Sequence, residues 1–174
     1  MNQLQDFQIQ EATLKHVQGL ANVHVKTWQH SYKGIIDQDY LDSLDLKQRE
    51  ERWISIFQIP NRKSQIYVLL NNQDQVVSFY SIGESREIEH NFTHELWGIY
   101  ILPEYQGRGL GRFMFEDVKQ KLHALNAQSL CVVVLKEGPA VGFYKKMGAQ
   151  IVQERKDEIG GKQYAEYLMG WDHI

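Results

Sequence analysis

The sequence has little cysteine and no long apolar run. It contains one cysteine, Cys131, which excludes an intramolecular disulfide. Because Cys131 lies within the apolar run LCVVVL, we expect its thiol to behave as a small buried hydrophobe. No window approaches the roughly 20 apolar residues that cross a bilayer, and the start of the sequence does not resemble a signal peptide. The sequence therefore predicts no membrane partner and a cytoplasmic location.

Positive charge is also scarce. Lys and Arg number 19 against 22 Asp and Glu, which gives a net charge of −3. Because the basic residues are scattered, they form no face that could neutralise a nucleic-acid backbone, and we expect no nucleic-acid partner. A hydrophobic fraction of 43% is typical of soluble globular proteins. With no internal repeat or Pro-rich linker, residues 1–174 are predicted to form a single domain.

The hydrophobic periodicity predicts an α+β fold built around one mixed sheet. Apolar residues at helical spacing indicate a helix from Thr13 that ends at Gly34, followed by a helical region up to about Phe57. From Gln65 onward, β-rich runs replace the helical pattern. A short helix is expected to open at Pro139. The predicted strands cover residues 7–9, 66–70, 76–83, 95–102, 129–135, 150–156 and 163–171.

A glycine-rich turn, PEYQGRGLGR, stands where the third of the long strands gives way to a helix. Its glycines, Gly107, Gly109 and Gly111, lack a Cβ and allow backbone amides to approach a ligand closely. The helix that begins here adds unpaired N–H groups and the positive end of its dipole. Arg108 and Arg112 contribute further positive charge. The turn therefore predicts a site for a pyrophosphate, bound mainly by main-chain groups.

Two familiar phosphate-binding turns do not fit this segment. A dinucleotide turn places its third glycine three residues after the second, whereas Gly111 follows Gly109 by two. It also needs an acidic residue roughly 20 positions later, where this sequence has Ser129 and Leu130. The nucleoside triphosphate loop needs Gly-Lys-Ser/Thr, which occurs nowhere in the chain. Alternate glycines that merely shape a loop remain the other interpretation.

The segment IYILPEYQGRGLGR closely resembles the acetyl-CoA-binding motif of the GNAT superfamily, with pattern Gln/Arg-x-x-Gly-x-Gly/Ala after an apolar strand. Gln106, Gly109 and Gly111 fill that pattern. A second stretch, AVGFYKKMGA at residues 140–149, is similar to the superfamily's cofactor-side helix. The resemblance covers about residues 95–149 and implies a mostly antiparallel, GNAT-like mixed sheet of about seven strands flanked by about four helices.

The resemblance implies an enzyme, an acetyl-CoA-dependent N-acetyltransferase that needs no metal. The acetyl group would pass from acetyl-CoA to a primary amine of a small molecule by direct attack in a ternary complex, so Cys131 need not react. Many members carry an asparagine before the second helix, where this sequence has Gly138 and Pro139. The residues expected to bind the cofactor are Ile99, Ile101, Gln106, Gly107, Arg108, Gly109, Leu110, Gly111, Arg112, Gly138 and Tyr144.

Two side chains are candidates for proton transfer. Glu95 lies at the start of the strand before the turn, where family members often place a carboxylate that removes the amine proton through water. Glu84 is a second candidate for that role. Tyr144 matches the tyrosine that resembles a general acid toward the leaving sulfur. The alternative interpretations are a solvated carboxylate at a strand end for Glu95 and an aromatic that only packs on the sheet for Tyr144.

The acceptor is expected to bind against the first two helices. Trp28 and Tyr32 are the predicted substrate-binding residues, and an aromatic and acidic wall in this half suits a cationic amine such as a polyamine. Core aromatics beside a solvated acidic loop are the alternative interpretation. Peptide N-terminal amines, protein lysines, and a non-catalytic acyl-CoA sensor also stay open. The acidic residues concerned are Asp37, Asp39, Asp42 and Asp45.

Two further features concern metals and assembly. His90 and His94 have the spacing of a helical zinc pair, but they fall in a loop and a strand, so we expect no metal site. The C-terminal strands would expose much apolar area if they were unpaired, and a homodimer is therefore predicted. The residues on which that prediction rests are Tyr164, Tyr167, Leu168, Met169 and Trp171.

Overall fold

The computed structural model describes residues 4–174. Residues 1–3, part of the start that was compared with a signal peptide, lie outside this range. The described chain forms seven strands and five α-helices in mixed order. The strands are β1 (Gln8–Glu11), β2 (Ser64–Leu70), β3 (Val76–Glu84), β4 (His94–Ile101), β5 (Leu130–Leu135), β6 (Gln150–Ile159) and β7 (Lys162–Trp171). The helices are α1 (Val17–Ser31), α2 (Gln38–Asp42), α3 (Leu46–Phe57), α4 (Leu110–Ala124) and α5 (Ala140–Lys146).

All seven strands belong to one sheet, in the order β1-β2-β3-β4-β5-β7-β6. Every neighbouring pair is antiparallel except β4 and β5, which are parallel and joined by the crossover helix α4. This confirms the predicted mixed, mostly antiparallel sheet. Five helices are present in the described chain rather than four, because the helical region up to Phe57 is divided into α2 and α3. Asp37 and Asp45 cap these two helices through their side chains.

Helices cover both faces of the sheet. Adjacent residues on a strand point to opposite faces, and β3 shows which helix lies on which side. Phe79 packs against Trp53 of α3, with ring centroids 5.3 Å apart. Tyr80 points the other way and donates a hydrogen bond to Asp117 of α4 at 2.5 Å. The central strands are consequently buried on both sides and carry the hydrophobic core.

Strands β4 and β5 separate soon after they begin to pair. Their register covers only three positions and ends at Leu96 opposite Val132. On the other side of β4, Leu96 pairs with Ile82 and Gly98 pairs with Ser81, so Trp97 is an extra residue in a β-bulge. Beyond this point the β5-facing edge of β4 has no strand partner. The middle of the sheet therefore opens into a cleft.

The C-terminal strands do not expose the apolar area on which the homodimer prediction rested. β7 is hydrogen-bonded on one side to β5 and on the other to β6, and Leu168, Met169 and Trp171 are buried. The exposed edge belongs to β6 instead, where Ile151 and Val152 are the exposed apolar residues. The stated reason was wrong, and the homodimer itself stays a prediction.

Cys131 is buried in β5, as its apolar run predicts. Its thiol lies 3.5 Å from the hydroxyl of Ser85. Burial raises the pKa of Cys131 to about 12, so the sulfur stays a neutral thiol at physiological pH. The side chain therefore acts as part of the core and offers no nucleophile.

Candidate functional site

A cleft of about 460 Å³ lies where β4 and β5 separate. It runs between the C-terminal half of α1, the end of β4, the glycine-rich turn and α5. Apolar side chains form most of its wall, which suits a small-molecule site. The lining residues are Thr27, Ser31, Tyr32, Ile99, Tyr100, Ile101, Gln106, Gly107, Gly109, Gly111, Arg112, Pro139, Ala140, Phe143, Tyr144 and Met147.

The glycine-rich turn presents a row of unused backbone donors at one end of this cleft. Within the described chain, no amide from residue 107 to residue 112 donates to a backbone carbonyl. Gly107 and Gly109 have φ values of +73° and +81°, which residues with a Cβ adopt only at a cost. Gly109 is the N-cap of α4, so the helix dipole points its positive end at the same place. These amides and the nearby Arg112 have the arrangement that anion sites at helix N-termini share.

Gln106 and Gly111 hold the turn in position. The side-chain amide of Gln106 donates to the carbonyl of Ile101 at 2.9 Å, which ties the turn to the end of β4. Gly111 has an ordinary backbone conformation, but a Cβ there would lie 3.1 Å from the ring of Phe143. The missing side chain therefore lets the start of α4 approach α5. Both residues line the cleft, where their contact with a cofactor stays a prediction.

Three of the predicted cofactor-binding residues are not among those that line the cleft. Arg108 stacks over the ring of Tyr105 at 5.1 Å and lines a neighbouring groove. The side chain of Leu110 is buried in the core, which leaves only its backbone amide for a ligand. The backbone amide of Gly138 donates to the carbonyl of Leu135, and the next two residues, Pro139 and Ala140, line the cleft in its place.

Tyr144 lies inside the cleft with its hydroxyl beside the backbone amide of Ile99. It is only 3% exposed, and this burial raises the pKa of its phenol well above the ordinary value. Tyr100 and Tyr32 also line the cleft, and burial raises the pKa of each. Three tyrosines with neutral hydroxyl groups therefore border the cleft, and each hydroxyl is able to donate a hydrogen bond.

Glu95 is held in an ion pair and is not among the residues that line the cleft. It is 1% exposed, and Arg86 binds both of its carboxylate oxygens, with Nε to Oε2 at 2.9 Å and Nη2 to Oε1 at 2.5 Å. The backbone amide of Arg86 adds a bond of 3.1 Å to Oε2. The guanidinium also stacks on Trp97 at 4.8 Å. Glu84 is exposed and paired with Lys63.

An aromatic stack forms the wall behind the cleft on the α1 side. His24 lies between Trp28 and Tyr100, with ring centroids 5.8 and 5.1 Å away. Burial, together with the charges of two arginines on α3, lowers the pKa of His24 to about 3, so the ring is neutral at pH 7. Tyr32 lines the cleft. Trp28 lies behind Tyr32, with the two ring centroids 5.0 Å apart, and does not line the cleft.

Three of the four acidic residues near the first helices make local contacts. Asp37 caps α2 and pairs with Lys162. Asp45 caps α3 by accepting from the amide of Gln48 at 2.8 Å. Asp42 accepts from the side chain of Gln38. These roles agree with the interpretation of a structural, solvated acidic loop rather than of a wall that binds a cation.

Neither a metal site nor a membrane span is found in the described part of the chain. His90 contacts Gln153 and His94 contacts Thr93. Among residues 4–174, no three His, Cys, Asp or Glu side chains are grouped so that they could hold a metal ion. No helix in that range has both the length and the apolar character needed to cross a bilayer.

The sequence interpretation missed two features that shape the site. One is the bulge in β4 together with the separation of β4 from β5. Gly98 is the sequence signal for it, because a glycine within a strand often marks a bulge. Gly98 has φ +133°, and the ring of Tyr100 lies against it, so that a Cβ would come within 2.8 Å. The other is Arg86, for which the sequence carries no signal.

Comparison with known proteins agrees with this geometry. Residues 25–149 match the model of the Acetyltransferase (GNAT) family. The chain is 31% identical over 166 residues to the uncharacterized N-acetyltransferase YuaI of Bacillus subtilis (strain 168), covering 95% of this chain and 93% of that one.

Solved structures share the fold at low identity. The PaiA N-acetyltransferase of Thermoplasma acidophilum, in complex with coenzyme A, superposes with a TM-score of 0.74 at 16% identity, covering 94% of this chain and 97% of that one. The spermidine N-acetyltransferase SpeG of Vibrio cholerae gives 0.69 at 17% identity, covering 96% and 94%. The turn, the cleft and the family match together identify the chain as a member of the GNAT family of acetyltransferases, enzymes that use acetyl-CoA.

Proposed function

We propose that the protein transfers the acetyl group of acetyl-CoA directly to a primary amine of a small molecule. The observation that carries this proposal is the row of unused amides at residues 107–112, which opens into a cleft that contains the Tyr144 hydroxyl. An anion site at one end and a proton donor within reach are what a CoA thioester and its leaving thiolate require.

The residues present fit coenzyme A along the whole cleft. The amides of the turn and Arg112 would hold its pyrophosphate. Past that point, the β5-facing edge of β4 has no strand partner beyond Leu96. The Ile101 carbonyl already accepts from Gln106 and Thr27, and the other backbone groups along this edge would be available to pair with the amides of the pantetheine arm. Acetyl-CoA would supply the reactive thioester, and the protein would hold it in position and exclude water.

Two protons must move during the transfer. An amine with pKa near 10.4 is deprotonated in only about one molecule in a thousand at pH 7, a handicap of roughly 4 kcal/mol. Tyr144, whose phenol stays protonated, would give its proton to the leaving sulfur. Glu95 was the predicted acceptor of the amine proton, through water. Its two oxygens are both engaged by Arg86, so this role needs a direct test.

The pH profile is expected to rise without a fall in the physiological range. Because the pKa of Tyr144 is raised, the protonated phenol persists even beyond the ordinary tyrosine value near 10. We therefore expect kcat/KM to increase with pH toward the pKa of the amine, with no descending limb below about pH 10. Initial rates in constant-ionic-strength buffers measure this profile. A descending limb at about pH 8 to 9 would contradict the assignment of the proton donor.

Replacement of Glu95 by glutamine tests the base role. Glutamine keeps the shape of the side chain but loses the charge that binds Arg86. We therefore expect the free energy of unfolding to fall by about 1–3 kcal/mol. The cost is modest because the Arg86 side chain is 65% exposed and can be solvated by water. Since both oxygens are occupied, we expect kcat/KM to fall by less than about tenfold. Denaturant melts and initial rates measure the two effects. A fall of about a hundredfold in a folded variant would assign the base to Glu95.

A direct assay tests the proposed function as a whole. The protein is incubated with acetyl-CoA and a panel of small amines, polyamines and lysine peptides while released CoA thiol is measured, and calorimetry measures the affinity for acetyl-CoA. Thiol release with a small amine supports the proposal. Tight binding without release for any amine points to an acyl-CoA sensor. The likeness to a spermidine N-acetyltransferase supports a polyamine acceptor. The positive charge of Arg49 next to the cleft instead favours an acceptor that carries a negative charge.

A further inference from the structure

Arg49 is a partly buried cation on the acceptor side of the cleft. It lies on α3 one helical turn before Trp53, so the two side chains share the face that packs on the sheet. Trp53 contacts the rings of His24 and Phe79 at 6.2 and 5.3 Å. Phe79 in turn stacks on Tyr100 at 4.9 Å, and Tyr100 lines the cleft. Arg49 therefore lies beside the aromatic wall and close to Tyr100, next to the cleft but not among the residues that line it.

The surroundings of Arg49 supply no counter-ion. The charged and titratable groups that act on it within the described chain are Arg52, Tyr40 and Tyr100, and none of these is a carboxylate. Burial and repulsion by Arg52 lower the pKa of Arg49, the direction expected for a cation withdrawn from water without a partner. Glu95, on the same face of the sheet as Tyr100, is already neutralised by Arg86.

The same wall contains hydrogen-bond donors that lack acceptors. Within residues 4–174, the buried indole N–H groups of Trp28 and Trp53 make no hydrogen bond. The N–H of Trp28 faces the hydroxyl of Tyr100 without reaching hydrogen-bond geometry. An indole N–H can only donate. A polyamine would bring more positive charge to the side of the cleft that already holds Arg49, whereas a carboxylate would bring the counter-ion that Arg49 lacks.

We propose that the acceptor is a small amine that also carries a carboxylate, as an amino acid does, and that Arg49 binds this carboxylate. The inference rests on the proposed transfer to a small-molecule amine and narrows its substrate class. A guanidinium matches a carboxylate with two parallel hydrogen bonds, which fixes the orientation of the molecule as well as its charge. Arg49 is thus a specificity-determining residue, and the amine of the same molecule is left to face the thioester.

Matched acceptor pairs test this inference. Each free amino acid is compared with its own carboxamide, which keeps the amine and the side chain but loses the negative charge, and rates are corrected for the different amine pKa values. We expect the best free acid to exceed its carboxamide in kcat/KM by at least about tenfold. Arg49→Met is expected to remove this preference by raising KM for the acid, while kcat and the affinity for acetyl-CoA stay near wild type.

Arg52→Met is the matched control, because Arg52 lies on the same helix and is exposed. It is expected to keep the preference for the free acid. Thermal melts separate binding from folding: removal of a cation without a counter-ion should leave the melting temperature of Arg49→Met at or above that of the wild type. A lower melting temperature would show that Arg49 has a structural role instead.

Two negative outcomes have different meanings. If carboxamides are acetylated as well as free acids, or if Arg49→Met leaves their ratio unchanged, the carboxylate inference is overturned while the acetyl transfer stands. If no amine of either kind releases thiol, the proposed function fails. In that case, calorimetric titration of the free acids into CoA-saturated protein tests whether Arg49 binds a carboxylate. The role of Arg49 is overturned if the wild type binds no free acid, or if Arg49→Met binds the acids as tightly as the wild type does.

Discussion

Replacement of Tyr144 by phenylalanine is expected to lower kcat by about 10²- to 10³-fold while acetyl-CoA still binds. The hydroxyl lies beside the amide of Ile99 in a residue that lines the cleft, and its raised pKa keeps the proton on the oxygen throughout the physiological range, so the donor is present in every enzyme molecule. Phenylalanine keeps the ring and its packing and removes only the donor. Thiol release measures kcat, and calorimetry measures the affinity for acetyl-CoA.

Tyr80→Phe is the matched control for this experiment. Tyr80 is fully buried and donates its hydroxyl to Asp117 on the α4 side, away from the residues that line the cleft. Its loss should lower the free energy of unfolding by about 1–3 kcal/mol, because a charge-assisted bond is removed. We expect its kcat to remain within about threefold of wild type. If Tyr144→Phe also retains kcat, the leaving thiolate takes its proton from elsewhere.

Replacement of Gly109 by alanine is expected to weaken acetyl-CoA binding by at least about tenfold. Gly109 has φ +81° and stands at the N-cap of α4, in the middle of the row of unused amides. A Cβ there meets no other atom within 4 Å, so the effect comes from the backbone and not from a clash. A left-handed alanine costs about 1–2 kcal/mol, and relaxation toward a right-handed conformation would turn the amides away from the anion.

Gly161→Ala separates this binding effect from strain alone. Gly161 lies in the hairpin between β6 and β7 with φ +78°, and a Cβ there also meets nothing within 4 Å. Both variants should therefore lose similar stability in a denaturant melt, by about 1–2 kcal/mol. Calorimetry should show lost affinity for acetyl-CoA only in Gly109→Ala. Equal affinities in the two variants would remove the glycine-rich turn from the proposed pyrophosphate site.

The elements that the sequence predicts well are those with long, regular periodicity. The apolar stripe of α4 and the buried run of β5 each follow from a pattern within one segment, and the mixed sheet follows from the order of such segments. The strand–turn–helix arrangement behind the proposed anion site is predictable for the same reason, because these elements are contiguous between Ile101 and Leu110. These features depend on local chemistry that neighbouring residues already specify.

The features that the sequence does not reveal depend on pairing between distant segments. Whether β4 stays with β5 beyond Leu96 is decided by the bulge at Trp97 and by the ring of Tyr100 over Gly98. The pairing of Glu95 with Arg86 similarly requires the loop after β3 to fold back on the sheet. Composition and spacing carry no information about such contacts, so the sequence places Glu95 on its strand without revealing that Arg86 binds its carboxylate.

The buried thiol of Cys131 has a practical consequence for anyone who assays this protein. With no exposed surface, and with its pKa raised to about 12, the side chain offers almost no thiolate to maleimides or disulfide dyes. Such reagents should therefore report only the sulfhydryl released from the coenzyme, with no background from native enzyme. The rate at which Cys131 is slowly labelled would conversely measure how often β5 becomes exposed, so this residue reports local unfolding.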